Sequence, residues 1–96
     1  MKRREYPLFL IINDILITKV LIDPHYEQKH TNSVNDEIIL ELAKTLSTKE
    51  HRHIAVSKNF KYFVDDKIKY KERFYKLIWM LEDNENYLGI INAYRR

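Results

Sequence analysis

An α+β fold in one domain spanning residues 1–96 is predicted by three features of the chain. It opens and closes with runs rich in β-branched and aromatic residues, two helical stretches lie between them, and no linker or internal repeat interrupts it. Strands flanking a helix pair argue for two layers: an N-terminal β-hairpin, then a short helix and a longer helix packed on one side of a curved antiparallel sheet of three to four C-terminal strands.

Each element has its own signal. Leu8–Ile12 and Ile15–Ile22 are near-continuous apolar runs, and Asn13-Asp14 between them tolerates the positive φ of a two-residue turn. Asp23-Pro24 reads as a helix start, because Asp accepts from the first free N–H groups and Pro leaves none orphaned. The short helix covers His25–His30 and stops around Thr31-Asn32-Ser33. A second helix runs from Asn35 to Leu46, capped by Ser33 or Asn35, with Asp36 and Glu37 at its positive end. Ile38, Leu42 and Leu46, with Ile39 and Ala43 beside them, form its core-facing stripe, while Glu41, Lys44 and Lys49 take the solvent side. His53–Ser57 and Phe60–Val64 are shorter strands. Arg73–Glu82 is the strongest: Tyr75, Leu77, Trp79 and Leu81 on one parity should meet the helices. Asp83–Asn86 is a turn, and Tyr87–Tyr94 is the returning strand.

Composition narrows the chemistry. With 45% hydrophobic and 12% aromatic residues the chain is no disordered tail, and a single Gly excludes collagenous architecture. The absence of Cys removes disulfides, thiolate nucleophiles and cysteine zinc sites. The formal charge is +3 and the pI about 9.1. Lys2, Arg3 and Arg4 begin the chain and Arg95 and Arg96 end it, so if the termini meet, five cations share one surface and phosphate is their natural counter-charge. The apolar run after the first cations is broken by Asn13-Asp14 and Thr18-Lys19, which argues against a signal peptide or a membrane span and for a soluble, cytoplasmic protein.

Two clusters carry chemistry. On a helix His25 and Lys29 share a face, as do Tyr26 and His30. An imidazole that exchanges protons near neutral pH, beside a cation that stabilises charge on phosphate oxygens, suits phosphodiester cleavage. The competing reading is an exposed polar turn. At the other terminus Asn92, Tyr94, Arg95 and Arg96 run directly off a strand, so the sheet fixes their side chains. Arg presents a fork of donors matched to phosphate. Tyr6, Tyr26, Tyr62, Tyr70 and Tyr94 are candidates to stack on bases, though tyrosine is also a good strand residue. His25 and His30 are five apart and miss the helical spacing of a zinc pair. His51 and His53 would share a strand face without a third ligand, so no metal and no cofactor is expected.

Lys29-His30 followed by Ser33-Val34 and a helix, then Glu72-Arg73, a paired strand set and an Ile91–Arg96 ending, resembles the BrnT-like toxins of the RelE-type small ribonuclease superfamily. The likeness covers about residues 20–96. Thr31-Asn32 stand where the family has Gly, Glu72-Arg73 lack its spacer, and Tyr94 precedes Arg95. The resemblance implies metal-independent RNA cleavage by 2′-OH attack and neutralisation by a partner antitoxin. Lys29 and His30 match the family's KH positions, Arg73 its strand arginine and Arg95 its terminal arginine. His25 is added from the local chemistry, and Tyr26, Tyr94 and Arg96 are the expected RNA contacts. The alternative is a non-catalytic interaction module, of the immunity or antitoxin type or an RNA-binding adaptor, whose acidic Glu82–Glu85 stretch would meet a basic partner.

Overall fold

The chain first turns at Asn13-Asp14, where both residues take positive φ, 51° and 65°. That geometry matches the right-handed twist of the strands it joins. Asn13 is used twice: its Nδ2 donates to the His51 carbonyl at 2.9 Å and its Oδ1 accepts from the His51 N–H at 2.8 Å. The turn is thereby tied to a loop far along the chain. In the computed structural model, which describes residues 2–96, the turn links β1 (Arg4–Ile12) to β2 (Ile15–Ile22).

The hairpin is not an appendage. β2 pairs in parallel with β6 (Tyr87–Arg95), producing one six-stranded mixed sheet of order β1-β2-β6-β5-β4-β3. β3 is Ala55–Ser57, β4 Phe60–Tyr70 and β5 Arg73–Glu82. The four C-terminal strands are antiparallel as expected, and the difference is that the N-terminal hairpin joins them, in parallel, in one sheet. The physical reason is burial: Val20 and Ile22 lie opposite Leu88 and Ile90, all of them buried, so the inner edge of the hairpin completes the core only by joining the C-terminal strand. β4 also runs past the predicted Val64. A bulge between Asp65 and Ile68, with Lys67 at φ 61°, carries the strand through a polar stretch.

A helical excursion connects β2 to the rest. It has a 3-10 turn (Pro24–Tyr26), a single α-helical turn α1 (Glu27–His30), helix α2 (Asp36–Lys44) and a second 3-10 turn (Thr45–Thr48). Asp23 accepts from the His25 N–H at 2.9 Å, and Asn35 caps α2 by accepting from the Ile38 N–H at 2.8 Å. The buried stripe of α2 is Ile39, Leu42 and Ala43, continued by Leu46, with Ile38 at its margin rather than its centre. These residues pack with Tyr75, Leu77, Trp79 and Leu81 of β5 and with Ile12, Ile17, Val20 and Ile22. Trp79 stacks on Phe63 with centroids 4.1 Å apart. The helices pack on the parity of Tyr75, Leu77, Trp79 and Leu81; on the opposite parity Met80 is buried but Phe74, at the far end of β5, is exposed. Among the described residues no helix is long and apolar enough to cross a membrane.

Candidate nucleic-acid interface at the cationic end of the sheet

Three polar clusters hold the residue types from which an active site could be built. The first surrounds Asp36 at the start of α2. Arg4 grips it with two nitrogens, Nε to Oδ2 at 2.6 Å and Nη2 to Oδ1 at 2.8 Å. Tyr6 donates to Oδ2 at 2.5 Å and Tyr26 to Oδ1 at 2.7 Å. The Arg4 guanidinium, opposed by partial burial and helped by the two phenols, holds the Asp36 carboxyl at about 2. Burial and the hydrogen bond to this carboxylate raise the Tyr26 phenol, and the same carboxylate raises Tyr6. Arg4 also reaches Glu27 at 3.1 Å. This cluster ties β1 to both helices and spends all its donors in doing so.

The second cluster lies under the second 3-10 turn. His51 Nε2 is 2.7 Å from the Leu46 carbonyl oxygen, and Nδ1 is 3.2 Å from Asp65 Oδ1, which also accepts from Trp79 Nε1 at 3.0 Å. A His–Asp pair invites a catalytic reading. Here, however, the imidazole is 5% exposed and its second nitrogen faces a main-chain carbonyl, so no substrate reaches it. His51 and His53 do not share a strand face as expected, because both precede β3 in the loop.

The third cluster gathers several of the residues singled out from the sequence. The His30 ring stacks on Tyr94 with centroids 5.0 Å apart and planes inclined by 27°. Lys76 Nζ stands 5.7 Å from the same tyrosine ring. Local structure fixes His30: its carbonyl accepts from the N–H groups of Ser33 and Val34 at 3.1 and 3.0 Å, and Val34 is buried. β2 ends at Ile22 beside Ile90, so β6 continues without a strand neighbour on that side, and the helical excursion packs there instead. That is how an early helical residue meets the end of the last strand.

Register places the other candidates. Tyr75 pairs with Arg95 and Lys76 with Tyr94, so Arg73 and Arg95 take the helix-side parity while Lys76 and Tyr94 take the opposite face. The predicted arginines and the His30–Tyr94 stack therefore share one end of the sheet but not one face. Lys76 is the nearby cation that sequence reading missed. Its parity within β5 was legible, yet nothing local marked that face as uncovered. His25 is exposed in the 3-10 turn packed against β6, and Lys29 is exposed on α1.

Three expectations change. Tyr26 cannot contact RNA, since it is 2% exposed and its hydroxyl belongs to Asp36. The first turn of the short helix is 3-10, which turns Tyr26 into the core instead of aligning it with His30 on a surface face. Arg96 does not extend freely, because its Nε lies 2.9 Å from Asp66 Oδ1. Nor do five terminal cations share one free surface, because Arg4 is committed to Asp36 and Glu27.

A cavity of about 670 Å³ opens elsewhere, between Asn13, Ile15, His53, Phe63 and the Asp83–Asn86 turn. Glu82, Asp83 and Glu85 line it and repel a polyanion, so it does not compete for phosphate. No protein-family model, curated protein or solved structure matches the chain.

Proposed function

We propose that the protein is a small metal-independent endoribonuclease, the toxin of a toxin–antitoxin-type pair, acting at the end of the sheet where His30 meets Tyr94. The single observation that carries this reading is that stack, with Lys76 beside it and Arg73 and Arg95 on the same rim. The order of motifs that resembles the BrnT-like toxins supports it independently.

In this mechanism a base takes the 2′-OH proton and O2′ attacks the adjacent phosphorus in line. The bond from phosphorus to the 5′ oxygen breaks, that oxygen takes up a proton, and a 2′,3′-cyclic phosphate remains. His30 exchanges the protons, with His25 as the alternative imidazole. Lys76 and Lys29 stabilise charge on the non-bridging oxygens, and Arg73 and Arg95 hold flanking phosphates.

The test is incubation of purified protein with RNA in EDTA. Cleavage by the unaltered chain is expected, falling about a hundredfold or more in His30→Ala, the scale of a lost acid–base group. A smaller fall is expected in Arg95→Ala. Intact RNA at every protein concentration rejects the reading. A non-catalytic protein-binding module is the second reading, favoured by an exposed apolar ridge on the hairpin: Phe9, Ile11 and Leu16 are 74%, 57% and 53% exposed. Expression in a host separates the two, since a nuclease toxin arrests growth without its partner and a binding module does not.

A further inference from the structure

The open face of the sheet at this end has a pattern that the cleavage chemistry does not use. Lys69 on β4 pairs with Phe74 on β5, and Lys76 on β5 pairs with Tyr94 on β6. Phe74 and Lys76 are two apart on one strand, so all four side chains belong to the face opposite Tyr75 and Leu77. Aromatic and cation therefore alternate like a checkerboard across three strands. Arg96 extends the pattern: its N–H donates to the Phe74 carbonyl at 2.7 Å, and its guanidinium reaches past β5 to Asp66 on β4.

Phe74 is 46% exposed on a surface where a phenyl ring gains nothing from water. The helices lie on the other face and do not cover it. Lys69 and Lys76 form no ion pair among the described residues, and Asp66 is already neutralised by Arg96. The surface thus offers the exposed Phe74 ring and the half-buried Tyr94 ring beside cations without an ion-pair partner. Phosphate with an exposed π-face complements that combination; a single-stranded nucleotide offers both, whereas a duplex buries its base faces.

Resting on the nucleic-acid reading of this end, we propose that the open face is a stacking track for single-stranded RNA, with Phe74 and Tyr94 beneath neighbouring bases and Lys69 and Lys76 along the phosphates. Residues diagonal across a strand pair stand about 7–8 Å apart, so the two rings serve consecutive bases of an extended strand. His30 backs one side of Tyr94, which puts the track and the proposed cleavage group on the same tyrosine.

The experiment measures fluorescence anisotropy with a labelled 2′-O-methyl oligouridine, which cannot be cut by 2′-OH attack, and with an RNA duplex of the same length. The unaltered chain should prefer the single strand. Phe74→Ala should weaken that binding about tenfold, the usual scale for losing one stacked base, while Phe74→Trp retains it. Lys69→Ala should lower the slope of log affinity against log salt by about 0.7. Equal affinity of Phe74→Ala and the unaltered chain, or a preference for duplex, overturns the track. The two proposals fail separately. RNA cut normally with binding indifferent to Phe74 removes the track alone. A tightly held, Phe74-dependent single strand whose unmodified counterpart is never cut removes the nuclease and keeps the track. No binding to either probe removes the track, whatever the cleavage assay gives.

Discussion

Around Asp36, two guanidinium nitrogens and two phenols converge on one carboxylate; at the Arg73 end of β5, Lys69, Arg73, Lys76 and Arg95 meet no carboxylate among the described residues. Both regions draw on the same residue types. The difference lies in what each donor has already bonded. Internal acceptors turn arginine and tyrosine into fasteners, whereas cations left facing water keep their capacity for an external anion. A charge count cannot distinguish these two uses, but a list of partners can.

The largest expected effect tests the fastener. Asp36→Ala leaves the Arg4 guanidinium and the Tyr6 and Tyr26 hydroxyls without their shared acceptor, and Tyr26 is buried. Removing one member of such a network typically costs about 3 kcal/mol, with Arg4 moderating the loss because it is partly solvated. Urea unfolding should show this as a lower midpoint. Binding of nucleic acid per folded molecule should stay unchanged, and a parallel loss of binding would break the division between the two regions.

Acid gives a milder version of the same test. The Asp36 carboxyl ordinarily titrates near 3.8 and sits at about 2 in the fold. A depressed carboxyl contributes stability that is present above its unfolded value and lost as pH falls through its folded one. The window therefore runs from about pH 4 down to 2, and the shift is worth about 2 kcal/mol before solvent screening. Urea midpoints at pH 5 and pH 2.5 should converge between the unaltered chain and Asp36→Asn. A gap that stays constant with pH would mean that the carboxylate charge does not hold the cluster.

The features legible in the sequence were local ones. Asn13-Asp14 mark their turn, Ser33 and Asn35 offer the cap that Asn35 makes, and Tyr75, Leu77, Trp79 and Leu81 show their buried parity, because each depends on residues within a few positions. The parallel pairing of β2 with β6 left no such trace, since it brings together strands separated by most of the chain. Asp36 is recognisable in the sequence as an acid favouring a helix start; that Arg4 and two tyrosines converge on it depends on the sheet order. The candidate site divided the same way. His30, Tyr94 and Arg95 could be picked out, but Lys76, Lys69 and Phe74 became meaningful only once their end of the sheet's second face was found exposed. Tyr26 misled because a 3-10 turn rotates its side chain inward where an α-helix would not.

The smallest effect concerns the turn beneath the cationic end. Lys71 and Glu72 join β4 to β5 with positive φ, 49° and 66°, close to the values of Asn13 and Asp14. Asn and Asp tolerate that region, while Lys and Glu pay for it in backbone strain. Glu72→Gly relieves the strain and should raise stability by about 1 kcal/mol, seen as a rise in melting temperature. Because it removes an acid and no cation, binding of a single strand should hold or tighten. Lys71→Asn should stabilise to a similar degree but weaken binding and reduce its salt dependence, as one fewer cation faces the phosphates. If both substitutions stabilise and neither alters binding, Lys71 belongs with the fasteners. If only Lys71→Asn weakens binding, the strained turn is retained for the charge it presents, and the division between spent and unspent cations extends to the tip of the hairpin.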